Sequence, residues 1–303
     1  MKILLFGKNG QVGWELQRSL VSLGELIALD QNSQDYCGDL TDLQGLAETV
    51  QQIKPDIIVN AAAYTAVDKA QSEPELARLI NADAVAVLAQ EAKKIAACLV
   101  HYSTDYVFDG SGTVAWQEAD MTAPLNIYGV TKLAAEQAIQ ASGCQYLIFR
   151  TSWVYATRGN NFAKTMLRLA QEQESLSVID DQIGAPTGAD LLADVTALAL
   201  YRLQTQPELS GLYHLSAAGE TSWYGFAQLV ITYAEKKGFA LKVFVADINA
   251  VSSSEFSTAA QRPLNSRLNS EQLQTNFCLT LPVWDVGVLR MLEEVMEDSN
   301  DTA

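Results

Sequence analysis

The sequence predicts an α/β protein, with a doubly wound parallel sheet covered by helices on both faces and a smaller C-terminal lobe. Three observations carry this expectation. Short apolar runs at 2–6, 25–29, 56–60, 98–102 and 145–150 alternate with helical patterns at 11–23, 42–53, 73–96 and 128–141, the rhythm of β-α repeats. The runs are apolar nearly throughout rather than at every second position, as in strands buried on both faces. Beyond Thr151 the rhythm loosens, and longer connections open at 151–162, 204–212 and 249–267.

Taken in order, the first run ends at Gly7-Lys8-Asn9-Gly10-Gln11-Val12-Gly13, which leads straight into the first helical pattern. Glycines at this spacing let the backbone turn tightly and approach a pyrophosphate, whose charge is met by free N–H groups at the helix start. The second run ends at Asp30, 20 residues after Gly10, where a carboxylate can accept from adenosine ribose hydroxyls. Strand, glycine turn, helix and acid together predict a Rossmann-type NAD(P)-binding unit. The third run leads into Asn60-Ala61-Ala62-Ala63-Tyr64-Thr65, whose small residues permit close approach of a ligand. The long helix at 73–96 has Ser72 and Glu75 at capping-box spacing, with Pro74 in its first turn, where a missing N–H costs little.

The fourth run ends at Tyr102-Ser103-Thr104-Asp105-Tyr106. Active sites of open α/β sheets lie at the carboxyl ends of strands, so Thr104 is placed to bind a substrate carbonyl oxygen. The next helical pattern opens with Tyr128 and puts Lys132 on the same face at i, i+4. A tyrosine with an ordinary pKa near 10 is a poor acid–base group, and a neighbouring cation is expected to pull it down. Thr104, Tyr128 and Lys132 form the Ser/Thr–Tyr–Lys constellation of a carbonyl reductase. Residues 1–151 are expected to form the cofactor domain and 152–303 mainly the substrate-binding domain. Parts of 175–203, namely Val178-Ile179 and the pattern from Leu191 to Leu203, are expected to return to the first domain.

Composition narrows the function classes. The chain has 303 residues, 49% of them hydrophobic, and a formal charge of −16, which disfavours nucleic acid or an anionic membrane as the main partner. Cys37, Cys98, Cys144 and Cys278 are scattered and there are two histidines, so no zinc pattern emerges and free thiols are expected. No signal peptide or membrane span is read, which points to a cytoplasmic protein. His101 and His214, on strand-like runs, are read as structural. Arg262 and Arg267 are either a diphosphate clamp or surface charges. The acidic tail after Met296 is expected to be disordered.

The runs GKNGQVGWELQ, VNAAAYTAVDKAQSEPE, HYSTDYVFDG, PLNIYGVTKLAAE, FRTSWVYATRGNNFAKTML, DQIGAPTGADLLADV, GLYHLSAAG and RPLNSRL resemble the dTDP-4-dehydrorhamnose reductase family, extended members of the short-chain dehydrogenases/reductases. The resemblance spans essentially the whole chain. It implies hydride transfer from NADPH or NADH to C4 of a dTDP-4-keto-6-deoxy sugar, with Tyr128 as acid and Lys132 on the nicotinamide ribose. It implies further that Gly10, Gln11 and Val12 hold the phosphates, Asp30 the ribose, and Asp39-Leu40 the adenine edge. Ala62, Ala63, Tyr64 and Thr65 would wall the ribose and nicotinamide, while Asp105 and Trp153 would touch substrate. Some members are dimers around magnesium, and Glu15, Asp190 and Glu294 occupy the matching positions, Asp190 being shorter than the Glu expected there.

Three rivals remain at this point. Dehydratases of this fold carry Asp-Glu after the threonine, whereas Asp105 is followed by Tyr106, and epimerases usually have neither. A related non-catalytic regulatory subunit binds the dinucleotide in a partner role. A generic carbonyl reductase is opposed only by the C-terminal runs.

Overall fold

The computed structural model describes residues 1–256 and 258–300. Its strands are β1 (Lys2–Phe6), β2 (Glu25–Leu29), β3 (Ile57–Asn60), β4 (Cys98–Thr104), β5 (Gln145–Thr151), β6 (Val154–Tyr155), β7 (Leu176–Ile179), β8 (Ile183–Gly184), β9 (Thr187–Gly188), β10 (Gly211–His214), β11 (Thr221–Ser222) and β12 (Ile248–Val251). Its α-helices are α1 (Gln11–Leu20), α2 (Leu43–Ile53), α3 (Val67–Ser72), α4 (Pro74–Arg78), α5 (Ala84–Ile95), α6 (Ile127–Ser142), α7 (Phe162–Glu172), α8 (Ala189–Leu203), α9 (Trp223–Lys236), α10 (Glu271–Phe277) and α11 (Trp284–Asn300).

Six strands form a parallel sheet in the order β10-β5-β4-β3-β1-β2. Strand parity splits its side chains between two cores. Ile3, Leu5, Val59, Val100 and Leu147 meet Leu16 and Leu20 of α1 and Leu192 and Leu200 of α8. Leu4, Phe6, Ile58, Leu99 and Ile148 meet Leu46 of α2, Leu88 of α5 and Ile139 of α6. A fully buried apolar side chain contributes about 1.5–3 kcal/mol, so a one-residue slip would displace both cores at once. A third cluster gathers α7, α9 and α11 around Phe226 and includes Leu176 and Val178 of β7. Thus α8 packs on the large sheet, while β7 pairs with β12 outside it.

The predicted strands agree with those formed to within two residues, and the differences among the helices have local causes. The helix expected over 73–96 is divided into α4, a π-helical turn at Leu79–Asp83, and α5. The Ser72–Glu75 capping box does not form, because Ser72 ends α3 and its hydroxyl donates to Lys69 O at 3.0 Å. Pro74 does sit at the first position of α4. The tail expected to be disordered continues α11 as far as Asn300, and 301–303 lie outside the described residues.

Candidate active site

The chain order of the central strands reverses sides at β1, with β2 on one flank and β3 on the other. A crevice forms at the carboxyl ends of strands beside such a switch point. Here it is a cleft of about 650 Å³, lined by Gly7, Gly10, Gln11, Val12, Asp30, Asp39, Leu40, Ala62, Ala63 and Thr65, with Tyr128 and Lys132 in the same lining.

The glycine turn is shaped by backbone contact. Gly7 has φ +87°, and a Cβ there would come 2.7 Å from Ala62 N. At Gly13 a Cβ would fall 2.0 Å from Gly7 O, so this glycine lets α1 pack onto the turn and does not itself line the cleft. At Gly10, by contrast, an added Cβ would meet only ordinary contacts, Gly7 O at 3.4 Å and Ala61 O at 4.0 Å. No side chain caps the start of α1, which leaves its free N–H groups available to an anion. Asp30 lies at the rim, where its carboxylate accepts from Asn9 Nδ2, from Asn32 N at 3.0 Å and from Ser33 Oγ at 3.1 Å. Lys8 Nζ reaches Ser33 Oγ at 3.4 Å. Tyr64 turns away from the cleft and donates its hydroxyl to Glu73 at 2.5 Å.

Thr104 ends β4, and its hydroxyl donates to Asp105 Oδ1 at 3.0 Å while accepting from Tyr106 N at 3.1 Å. The helix bearing Tyr128 is started by Asn126, whose side chain accepts from Gly129 N at 2.9 Å. Gly129 is required there, because a Cβ would lie 2.2 Å from Tyr106 O. Thr104, Asp105 and Tyr128 therefore converge. Burial pushes the Tyr128 phenol up to about 12, the Asp105 charge adds to this, and a hydrogen bond with Thr104 opposes it. Burial likewise raises the Asp105 carboxyl to about 6 against hydrogen bonds from Ser266 and Thr104. Asp105 Oδ2 is buried with no hydrogen-bond partner.

Lys132 is buried, and burial lowers its ammonium to about 8 although Glu136 favours the charge. Its Nζ donates to Tyr102 O at 2.5 Å and lies 3.0 Å from His101 Nε2. The depressed Tyr128 pKa expected from the helical Tyr–Lys pair is thus reversed: the lysine is engaged by β4, and desolvation dominates the phenol. Glu136 is held in turn by Arg150, through Nε at 2.9 Å and Nη2 at 2.7 Å, and by Ser103.

Other residues singled out in the sequence lie as follows. Trp153 adopts φ +49° and stacks on Trp223 with centroids 3.7 Å apart, its ring against the Gly184 backbone. Arg262 pairs with Asp68 at 2.6 Å and Arg267 with Glu220 at 2.6 Å, so each guanidinium already has a carboxylate partner. The magnesium expectation finds no support. Asp190 and Glu294 both pair with Arg290, Glu15 pairs with Arg18, and no acidic, His or Cys cluster able to hold a metal occurs among the described residues. No helix among those residues is long and apolar enough to cross a membrane.

Two residues escaped the sequence reading. His101 is buried as anticipated, yet it touches Lys132; its pairing opposite Asn60 across β3 and β4 is the signal that could have shown this. Thr151 lines the cleft with a buried hydroxyl that has no hydrogen-bond partner.

A parallel sheet with a glycine-turn cleft beside a Thr–Tyr–Lys group defines a Rossmann-type short-chain dehydrogenase/reductase. The family model described as RmlD substrate binding domain matches residues 1–297. The dTDP-4-dehydrorhamnose reductase of Escherichia coli (strain K12) is 60% identical over 295 residues, covering 97% of this chain and 98% of that protein. That of Burkholderia thailandensis is 45% identical, covering 95% and 97%. Among solved structures, dTDP-4-dehydrorhamnose reductase from Bacillus anthracis str. Ames in complex with NADP superposes with TM-score 0.85 at 37% identity, covering 97% and 99%. The chain belongs to the dTDP-4-dehydrorhamnose reductase family.

Proposed function

We propose that this chain reduces the 4-keto group of dTDP-4-dehydro-L-rhamnose to dTDP-L-rhamnose, the last step of dTDP-rhamnose synthesis. The observation that carries this reading is the hydrogen bond between Thr104, at the end of β4, and Tyr128, which lines a cleft that also includes the glycine turn. The residues present fit a dinucleotide: Gly10 lines the cleft at the uncapped start of α1, and Asp30 stands at the rim. NAD(P)H supplies a hydride when bound. Tyr128 supplies the proton to the carbonyl oxygen, and its raised pKa keeps the phenol protonated at neutral pH. Thr104 orients that oxygen, and Lys132 binds the nicotinamide ribose. Asp105 and Trp153 contact the sugar nucleotide, the free Asp105 Oδ2 being suited to a substrate hydroxyl.

Both nicotinamide cofactors are expected to serve. Asp30 accepts from a 2′-hydroxyl and repels a 2′-phosphate, while Lys8, held near Ser33, offsets the repulsion. A homodimer is the proposed assembly, supported by exposed Trp14 on α1, Val21 just after it, and Leu198 and Tyr201 on the adjacent helix α8; a monomer mass in sedimentation would remove it.

Mass spectrometry tests the reaction. The keto sugar nucleotide should gain two hydrogens with matching NAD(P)H consumption, and dTDP-glucose should not lose water. Elimination across C5–C6 needs a further acid–base pair, and Tyr106 stands where a second carboxylate would. Failure of the keto sugar to be reduced would favour the regulatory-subunit reading.

A further inference from the structure

Behind the catalytic face, Asn60, His101 and Lys132 form a buried chain, of which the mechanism above uses Lys132 alone. Asn60, at the end of β3, and His101, in the middle of β4, are register partners. Strand parity turns His101 to the side of the sheet that α6 covers, the side to which Leu99 also points, and there it meets Lys132. The Asn60 amide faces His101 Nδ1 at 3.3 Å, and His101 Nε2 faces Lys132 Nζ at 3.0 Å. All three residues are buried, so water cannot easily mend a mismatch of donors.

The donors can be assigned one after another from a fixed starting point. Ala62 N–H donates to Asn60 Oδ1 at 3.1 Å. A backbone N–H can only donate, so the amide oxygen is on that side and the NH₂ group faces His101. His101 Nδ1 must then accept, which in a neutral imidazole places the proton on Nε2. That N–H points at Lys132 Nζ. An ammonium has no lone pair to receive it, whereas a neutral amine does, and the amine still donates to Tyr102 O at 2.5 Å.

We infer that Asn60 locks His101 as its Nε2–H tautomer, and that this N–H favours the neutral amine of Lys132 in the cofactor-free protein. His101 is a positioning residue that acts through Lys132. The ionisable groups around the pair agree with this. Burial holds His101 well below the usual histidine range, so it stays a neutral imidazole, and burial also brings the Lys132 ammonium down to about 8, toward the neutral amine. Glu136, the carboxylate nearest along α6, is occupied by Arg150 and Ser103. Tyr128 is a neutral phenol, and the Asp105 carboxyl acts on Tyr128. On the function proposed above, Lys132 would hold the nicotinamide ribose, and an uncharged amine there would add no positive charge near a cationic, oxidised ring.

The chain has two histidines, so ¹⁵N-histidine labelling and long-range ¹H–¹⁵N correlation of the cofactor-free protein resolve both tautomers. His214 is the internal control: its Nδ1 lies 3.0 Å from Trp116 O, so it must carry the proton on Nδ1. His101 should show the opposite pattern. Asn60→Asp keeps an oxygen for Ala62 N–H and presents a second oxygen to Nδ1. It should therefore switch His101 to Nδ1–H, turn Nε2 into an acceptor for an ammonium, and raise by a pH unit or more the ionisation governing NADPH affinity. A wild-type His101 protonated on Nδ1, or on both nitrogens, would overturn the inference. So would a tautomer switch in Asn60→Asp that leaves the affinity profile unmoved. If that variant does not fold, the wild-type spectrum decides alone. None of these measurements involves the keto sugar, so failure of the reductase reading would show separately.

Discussion

Replacing Asp105 by Asn should change stability in a manner that depends on pH, and the size follows from the site. The Asp105 carboxyl ionises at about 6 in the folded protein against 3.8 for a free aspartate side chain, chiefly because it is buried. A raised folded value means that the native state holds this proton more tightly than the unfolded chain. Its favourable contribution is present below about pH 4 and is lost as pH rises through about 6. At about 1.4 kcal/mol per unit, the full effect approaches 3 kcal/mol, of which about 2 kcal/mol falls between roughly pH 4.5 and 7.5. Asn cannot ionise, so it removes the pH-dependent term. It also presents an amide N–H where Oδ2 has no partner, at a constant cost of about 1–3 kcal/mol. The informative quantity is therefore the difference between wild-type and Asp105→Asn unfolding free energies, measured by urea titration across that range. It should move in favour of the variant by about 2 kcal/mol as pH rises. A difference that stays level would refute the argument that Asp105 is held partly protonated by burial.

Tyr128→Phe should leave NADPH affinity within a few-fold of wild type and lower kcat by about a hundredfold or more, the usual scale of a lost general acid; equal kcat values would remove Tyr128 from the reaction. Arg150→Met should cost about 3–5 kcal/mol in denaturant unfolding, because it leaves the buried Glu136 without its two-point partner; a neutral result would show that Glu136 finds another partner or a proton. Wild type should discriminate between NADH and NADPH by less than about a hundredfold in kcat/KM, roughly 2.7 kcal/mol. Asp30→Asn should then shift the ratio toward NADPH, and a shift the other way would contradict the carboxylate's assigned role. Gly13→Ala should abolish cofactor binding, since its Cβ would fall 2.0 Å from Gly7 O; retained affinity in a fluorescence titration would show that the turn can relax.

Much of this protein is determined within local stretches of sequence. The glycine spacing, the apolar strand runs and the Tyr128–Lys132 interval each express one backbone geometry, so the parallel sheet, the nucleotide cleft and the tyrosine helix follow from residues near one another in the chain. Other features rest on contacts between distant segments, and no period in the sequence encodes them. Ser72 looks like a cap for the helix after it, but it ends α3 instead. Lys132 looks like a cation beside Tyr128, yet folding carries it to His101 and Tyr102, 31 and 30 positions earlier. Desolvation then raises the phenol that the sequence alone suggested would be lowered. The sequence determines which ionisable groups are present and which helix face bears them. Tertiary structure decides how much water each one keeps and which donor stands opposite, and those two quantities set its protonation state.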